Sequence, residues 1–516
     1  MSVNNPGLWL GEPFAMGTAE QFAAVRDFLH RIDYSEAALC AGADVESLSK
    51  MKIGGTREVG FLVPDTPQAL AVLLFLDGAA IAWELVRDVF DAVDLETVQA
   101  LGLLQDSPRD PAACAATVAL YPVEGLYIVS DRNVPIHRAE TGSTPADIVF
   151  SAITSQTGRF LKFMPRVACG DYLELCSGAG AAALVAARDF AERACAVDIT
   201  ERSTRFARFN AALNGIANVE ALAGDLYTPI QGRSFDVITA HPPYIPSLEV
   251  DVVFRDGGED GEQVTRRIIE GLSDHLRPGG LFFCDCFMTD RDGADLEDRL
   301  RAMLGEKEHE FDILIGQARV IPASGVVGNN VAGRRITPQQ ADAQLMRLKE
   351  LGVTQFVSGV FLIRRRTTEG PIVTQRRILS ENTDVGHLLA SMELAATLQA
   401  LRADPTRLLA TFPRCSTHTE ILSRSALREG QWTISASSLA TSVPFAVEAE
   451  VPAWFGTLLS WCDGQVTARD LLARLQDATI VPDSFPPAKF GALLSQLADG
   501  GFIELLDAPD DPTAAR

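Results

Sequence analysis

Four short segments between positions 171 and 244 concentrate the residues of this 516-residue chain that could do chemistry. The first, DYLELCSGAGAAALVAA (171–187), runs an apolar strand-like stretch into Ser177-Gly178-Ala179-Gly180 and then into small apolar residues at helical spacing. Two glycines at such a turn let the backbone bend tightly and approach a ligand at the carboxyl edge of a strand, although packing alone also produces such turns. Asp198 closes the next apolar run, where a carboxylate can accept hydrogen bonds from both hydroxyls of a ribose. Gly224-Asp225-Leu226 closes a third, placing an acid to meet an exocyclic amine and an apolar side chain to lie on a purine. The fourth run, FDVITA, ends directly in His241-Pro242-Pro243-Tyr244. A neutral imidazole has one acceptor nitrogen and takes a proton near neutral pH. His241 is therefore either a passive acceptor, leaving catalysis to proximity and alignment, or a base for a nucleophile within ~3 Å that must lose a proton.

These segments need a scaffold. From about Gly142 to Arg366 strands alternate with helices, which implies parallel pairing in an α/β sheet. The expected strands are Tyr172 to Cys176, Ala194 to Asp198, Val219 to Ala223, Phe235 to Ala240, Leu281 to Cys286, Phe311 to Ile315 and Gln355 to Arg364. Arg277-Pro278-Gly279-Gly280 reads as a turn just before the fifth. Seven strands in this order suit a doubly wound sheet with a closing antiparallel pair, and 315–352 reads as an insertion with its own helix. From Thr18 to Leu104 the pattern is helical, and Thr117 to Asp131 is a strand pair around Pro-Val-Glu-Gly. Beyond the polar stretch Arg365 to Asp384 come three more helical segments, a Gly500-Gly501 break and a final strand. The expected organisation is a winged-helix-like accessory domain (1–140), the α/β core (141–368) and a second winged-helix-like domain (385–508).

The ordered elements LELCSGAGAAAL, AVDIT, ARFNAALNGIANVE, GDLYTPIQGRSFDVITAHPPYIP and FRDGGEDGE (254–262) resemble the class I S-adenosylmethionine-dependent methyltransferases over roughly Pro145 to Arg366. Within that class they are similar to the branch holding the release-factor and ribosomal-protein glutamine N5-methyltransferases and the small-domain rRNA and adenine N6-methyltransferases. The resemblance implies a Rossmann-like seven-stranded core and S-adenosyl-L-methionine as cofactor. It assigns Glu174, Gly178 and Gly180 to the methionine portion and backbone turn, Asp198 to the ribose, Asp225 and Leu226 to the adenine, and His241 to the cofactor's reactive end. His241 and Tyr244 would be catalytic, with Pro242, Pro243 and Tyr244 holding a planar acceptor group. Two positions depart from the family pattern: Ala182 replaces a third glycine, and His241 stands where Asn, Asp or Ser is usual.

The rest of the sequence narrows the substrate. Lys and Arg number 45 against 68 Asp and Glu, a net −23 that repels phosphate backbones on average. One stretch runs the other way: 330–366 carries Arg334, Arg335, Arg347, Lys349, Arg364, Arg365 and Arg366 against Asp342 and Glu350. Apolar runs are far shorter than the ~20 residues needed to span a bilayer, and no secretion signal is visible, so the expectation is a soluble cytoplasmic protein. Nine cysteines without a CxxC pair read as buried thiols, and the histidines show no metal-ligand spacing. Asp285 is a candidate orienting carboxylate, 256–260 reads as a substrate-facing loop rather than a metal site, and 161–166 could gate the cofactor. The C-terminal pattern, with its Asp463-Gly464 turn and Thr467 cap, is similar to PqqD-like modules that capture leader peptides; a scaffold or dimer contact is the other reading. The expected function is methyl transfer to a nitrogen or oxygen of a small-molecule or peptide acceptor. Protein-glutamine N5-methylation, rRNA base methylation and a non-catalytic scaffold stand as alternatives, nucleic acid ranks below protein or metabolite as partner, and a homodimer is open.

Overall fold

The computed structural model describes residues 13–51, 64–108, 110–132, 146–247, 253–333, 335–368 and 370–510. The chain forms two compact units, Met1–Glu308 with Val320–Thr367, and His309–Arg319 with Thr368–Arg516.

The first unit is built on a mixed sheet. Its strands are β1 (Cys169–Leu175), β2 (Ala191–Asp198), β3 (Val219–Ala223), β4 (Phe235–Ala240), β5 (Leu276–Arg291) and β6 (Val353–Arg365). They lie side by side as β6-β5-β4-β1-β2-β3, parallel except for β6 against β5. The chain walks outward from β1 through β2 to β3, then returns to place β4 on the other flank of β1. That reversal between β1 and β4 is where α/β sheets open a ligand crevice at their carboxyl ends. Register sharpens the point: Leu175 pairs with both Val197 and Ala240, and Asp198 with Ala223, so four strands end level with one another.

Small side chains let the helices sit close. Helix α1 (Ser155–Phe163) precedes β1, α2 (Ala181–Asp189) follows it, and α3 (Glu201–Asn214) follows β2. Residues 181–187 of α2 are all buried, and Ala183 and Ala186 pack with Ala194, Ala196, Ala207 and Ala221 in an alanine-rich layer. Thr200 caps α3 by accepting the Ser203 amide, and Gly215 ends it in the left-handed conformation.

The accessory region packs onto this sheet within the same unit. Phe14 contacts Phe206 and Phe209, and Arg26 donates to the Leu213 carbonyl. The expected strand pair is present as Ala119–Val123 and Leu126–Ser130, turning at Glu124 and Gly125, both with positive φ. Asn210 and Asn214 of α3 bind its outer strand as a strand would: each side-chain oxygen accepts the amide, and each NH₂ donates to the carbonyl, of Val129 and Tyr127 respectively. Within the stretch of helical pattern from Thr18 to Leu104, the apolar run 68–90 is broken, because Gly78 at φ 74 ends one helical segment and the strand Ile81–Ala82 intervenes before Trp83–Val89. Strands Leu104–Ser107 and Asp110–Ala116 carry no strand pattern in the sequence.

Two further boundaries differ from expectation. The Arg277-Pro278-Gly279-Gly280 turn lies inside β5 as a register shift between Leu276 and Leu281. The insertion carries two helices, Ala323–Ala332 and Pro338–Glu350.

Six of the seven expected strands belong to the first unit. The remaining one, Phe311–Pro322, lies mostly in the second, where Ile313 to Gln317 pair in parallel with Thr374–Ile378. That unit also holds the helix Val385–Ala403 and an antiparallel sheet of Glu420–Arg428, Gln431–Thr441 and Val447–Val451. The three expected helices are Phe455–Trp461, Ala468–Asp477 and Pro487–Asp499, and the final strand Ile503–Leu506 pairs with Phe412–Cys415. Leu458, Leu471, Leu475, Phe490 and Leu494 form its core.

Candidate active site

The carboxyl end of β1 supplies the turn. Cys176 adopts φ 55, an unusual left-handed position for a residue with a side chain, and Gly178 and Gly180 come next at φ 51 and 78. Gly180 caps α2 with no side chain, so its orphan amides need another acceptor. Glu174 provides one: its buried carboxylate accepts the Ala183 amide at 2.8 Å. Burial, with a smaller contribution from the nearby Asp198 charge, raises the Glu174 carboxyl to about 8. Asp198 in turn accepts the Gly178 amide at 2.8 Å and the Thr200 amide at 3.1 Å, tying the β1 turn to the end of β2. The half-buried Cys176 thiol is pushed up first by desolvation and then by the charges of Asp198, Glu174 and Asp225. Asp225 pairs with Arg267 at 2.8 Å on the open side, and Leu226 beside it is buried.

The β4 end supplies the second half. His241 stacks on Phe160 at 5.3 Å and 23°, and on Tyr244 at 6.1 Å and 24°; Tyr244 stacks on Phe287 at 4.8 Å, and Phe160 on Phe283 at 5.6 Å. Five rings thus form a ladder with the imidazole in its middle. Burial pushes the His241 imidazole below its ordinary value, Arg159 adds to that, and Asp285 opposes it, so the ring is neutral at pH 7 with an acceptor nitrogen.

Asp285 is in place as a charged neighbour of His241. It is fully buried on β5 and held by Arg159 of α1 through Nε to Oδ2 at 2.7 Å and Nη2 to Oδ1 at 2.5 Å. Segment 161–166 comprises the last turn of α1 and the three residues after it. The residues of that helix that reach the site are Arg159 and Phe160, neither of which the sequence motifs single out. The amphipathic pattern of SQTGRFLKF after the cap Thr154 is their only local signal.

The element Phe254 to Glu262 braces the motif. The Ile245 amide donates to the Arg255 carbonyl, Gly257 to Ile245, and Ser247 to Gly258. A Cβ on Gly257 would lie 2.7 Å from the Pro243 oxygen, and one on Gly261 2.5 Å from the Tyr244 oxygen, so only glycine permits this close approach. Behind it, the buried Glu262 is held by Arg291 and Arg299 and accepts from Thr289, while Asp260 binds Arg266 and Arg291. This element contacts the motif's backbone and its acids are spent on arginines; no cluster of three His, Cys, Asp or Glu suited to a metal occurs among the described residues.

The basic stretch 330–366 is also largely engaged. Arg347 pairs with Glu259 and Glu350, Arg335 donates to Asn330, and Arg365 donates to the carbonyls of Ser273 and Leu276. Arg334 lies outside the described residues.

Residues 147–307 match the family model of the methyltransferase small domain, and with the geometry above they constitute a class I S-adenosylmethionine-dependent methyltransferase domain. The chain is 34% identical over 125 residues to the release factor glutamine methyltransferase of Thermodesulfovibrio yellowstonii, covering 22% of this chain and 45% of that protein. It is 33% identical over 126 residues to the ribosomal protein uL3 glutamine methyltransferase of Bradyrhizobium diazoefficiens, covering 22% and 39%. The chain therefore spans less than half the length of these two relatives. Among solved structures, the ribosomal protein L11 methylase of Lactobacillus delbrueckii subsp. bulgaricus aligns over 39% of this chain and 71% of its own, at 18% identity and a TM-score of 0.24.

The residues present fit the cofactor of that class. A Cβ on Gly178 would meet nothing within 4 Å, so this backbone faces open space. The Ser177 hydroxyl in the same turn is buried with no hydrogen-bond partner among the described residues. The Asp198 carboxylate, with the Glu174 carboxyl beside it able to give up its proton to an arriving cation, suits a ligand bearing positive charge, as S-adenosylmethionine does.

Proposed function

We propose that this chain transfers the methyl group of S-adenosylmethionine to a nitrogen or oxygen of a small-molecule or peptide acceptor held at His241-Pro242-Pro243-Tyr244. The observation that carries this reading is the pairing of Leu175 with Ala240, which sets the glycine turn and the HPPY motif at adjacent strand ends. The cofactor, when bound, supplies an electrophilic methyl. The chain's residues do the rest. Asp198 offers its carboxylate to the ribose, and Gly178 and Gly180 admit the backbone close to the ligand. Tyr244 gives the acceptor a flat surface, and the Pro242 carbonyl with the neutral His241 nitrogen orients its hydrogens. Where the acceptor must lose a proton, His241 is the group placed to take it.

A second reading, methylation of a protein glutamine, is favoured by the two named relatives and by the resemblance of FRDGGEDGE (254–262) to an element of the glutamine methyltransferases. The internally engaged arginines of 330–366 give the rRNA reading less support. Calorimetric titration with S-adenosylmethionine tests the proposal: wild type binds, and Asp198→Ala weakens binding at least tenfold. Absence of binding, or no effect of Asp198→Ala, sinks the enzyme reading in favour of a scaffold.

A further inference from the structure

In the antiparallel sheet of the second unit, Glu420–Arg428 is the edge strand, with no neighbour on its outer side among the described residues. Such an edge offers unpaired amides and carbonyls, and proteins usually blunt it with proline or a covering element. This strand holds no proline; its register against Gln431–Thr441 shifts once, between Arg424 and Ser425, and its charges are Glu420, Arg424 and Arg428. Its register with Gln431–Thr441 puts Leu427 opposite Trp432 and Ile421 opposite Leu439 on one face, with Ile434 two residues from Trp432. Leu439 is buried in the core, but Ile421, Leu427, Ile434 and Trp432 are 46%, 60%, 61% and 74% exposed. Leu427, Trp432 and Ile434 form one exposed apolar cluster, separated from Ile421 by Ser423 and Ser425 on the same face, and such a cluster marks an interaction site.

The edge strand also reads almost alike in both directions: Glu-Ile-Leu-Ser-Arg-Ser-Ala-Leu-Arg. Antiparallel pairing with a second copy, centred on Arg424, sets Glu420 opposite Arg428, Ile421 opposite Leu427, Leu422 opposite Ala426 and Ser423 opposite Ser425, each twice over. Opposite charges and aliphatic pairs directly across a ladder stabilise it, and the one unfavourable pairing is Arg424 against itself. A strand that complements its own reverse is what a two-fold, isologous contact requires.

We infer that Glu420–Arg428 is the seam of a homodimer, in which two three-stranded sheets join into one of six and each exposed Leu427 is covered beside Ile421 of the second copy. A seam one strand wide is smaller than a standard interface, so the dimer belongs to the weak, concentration-dependent class.

Sedimentation of the full chain across the micromolar range tests this. A concentration-dependent dimer is expected. Arg428→Glu and Glu420→Arg each turn both end pairs into like charges and weaken it about tenfold, and the double variant Glu420→Arg/Arg428→Glu recovers most of that loss. Leu427→Asp abolishes dimerisation while circular dichroism stays unchanged. A chain that stays monomeric, including one that instead binds an extended peptide along this edge, overturns the inference. So does a dimer indifferent to the single reversals, or one that the double reversal fails to restore.

Discussion

Arg159 and Asp285, 126 positions apart in the chain, share two hydrogen bonds beneath the ring ladder, and they act on His241 in opposite senses. Asp285 favours the protonated imidazole and Arg159 disfavours it. Arg159→Met leaves a fully buried carboxylate without its partner, which costs about 3–5 kcal/mol; a fall of that size in the urea-unfolding free energy is the expected result. Asp285→Asn keeps the shape and removes the opposing charge, so the His241 pKa, followed by the NMR shift of its ring protons, moves further down.

Phe160 is expected to govern turnover through the orientation of His241. Phe160→Ala removes a buried ring and costs about 3–5 kcal/mol. Phe160→Leu keeps most of the volume but not the flat face, so stability falls by little more than about 1 kcal/mol, and kcat falls several-fold while KM for S-adenosylmethionine holds. An equal rise in that KM would show that the ring serves cofactor binding instead.

His241 separates two chemistries by pH. Its pKa is depressed, so the neutral form prevails at pH 7 and is lost only on acidification. As a base, it gives kcat/KM an acidic limb below pH 6.5 that His241→Asn removes; as an acceptor alone, both proteins keep the same profile. Asn also restores the residue common in the resembling enzymes, so this variant is expected to retain measurable cofactor binding by calorimetry.

Glu174 should make the cofactor-free protein less stable as pH rises. Its carboxyl is raised from 4.5 to about 8, so the folded state holds the proton more tightly than the unfolded chain. The associated stabilisation is complete below about pH 4.5 and lost as pH climbs through 8, falling by about 1.4 kcal/mol for each pH unit between those limits. Glu174→Gln flattens this dependence, which urea midpoints at about pH 5, 6.5 and 8 would reveal. A cation bound beside Glu174 lowers its pKa, so cofactor binding at pH 7 releases a proton, seen as a binding heat that varies with the buffer's ionisation enthalpy.

What could be read from the sequence was local. Asp198, Asp225 and His241 each end an apolar run, and the run itself fixes the strand end on which they sit. Asp285 stands near the end of the fifth expected strand and could be picked out there, but Arg159 carries no such mark, because its meaning lies in a contact across 126 residues between a helix and a buried strand. The helical reading of 68–90 fails at Gly78, whose left-handed φ ends the helix despite continuous apolar spacing on both sides. Strand Glu420–Arg428 is hidden in the sequence because exposed serines and arginines mask its alternation.

The two asparagines of α3 have a consequence for cooperativity. Because Asn210 and Asn214 supply the hydrogen bonds that a neighbouring strand would give Tyr127 and Val129, the hairpin is spliced into the sheet through a helix. The amides of Tyr127 and Val129 should exchange with solvent on the slow clock of the central strands rather than on that of a surface hairpin. A chain cut to 147–307 would expose two polar side chains made to be satisfied from outside that segment, so the accessory region folds as part of the enzyme's core.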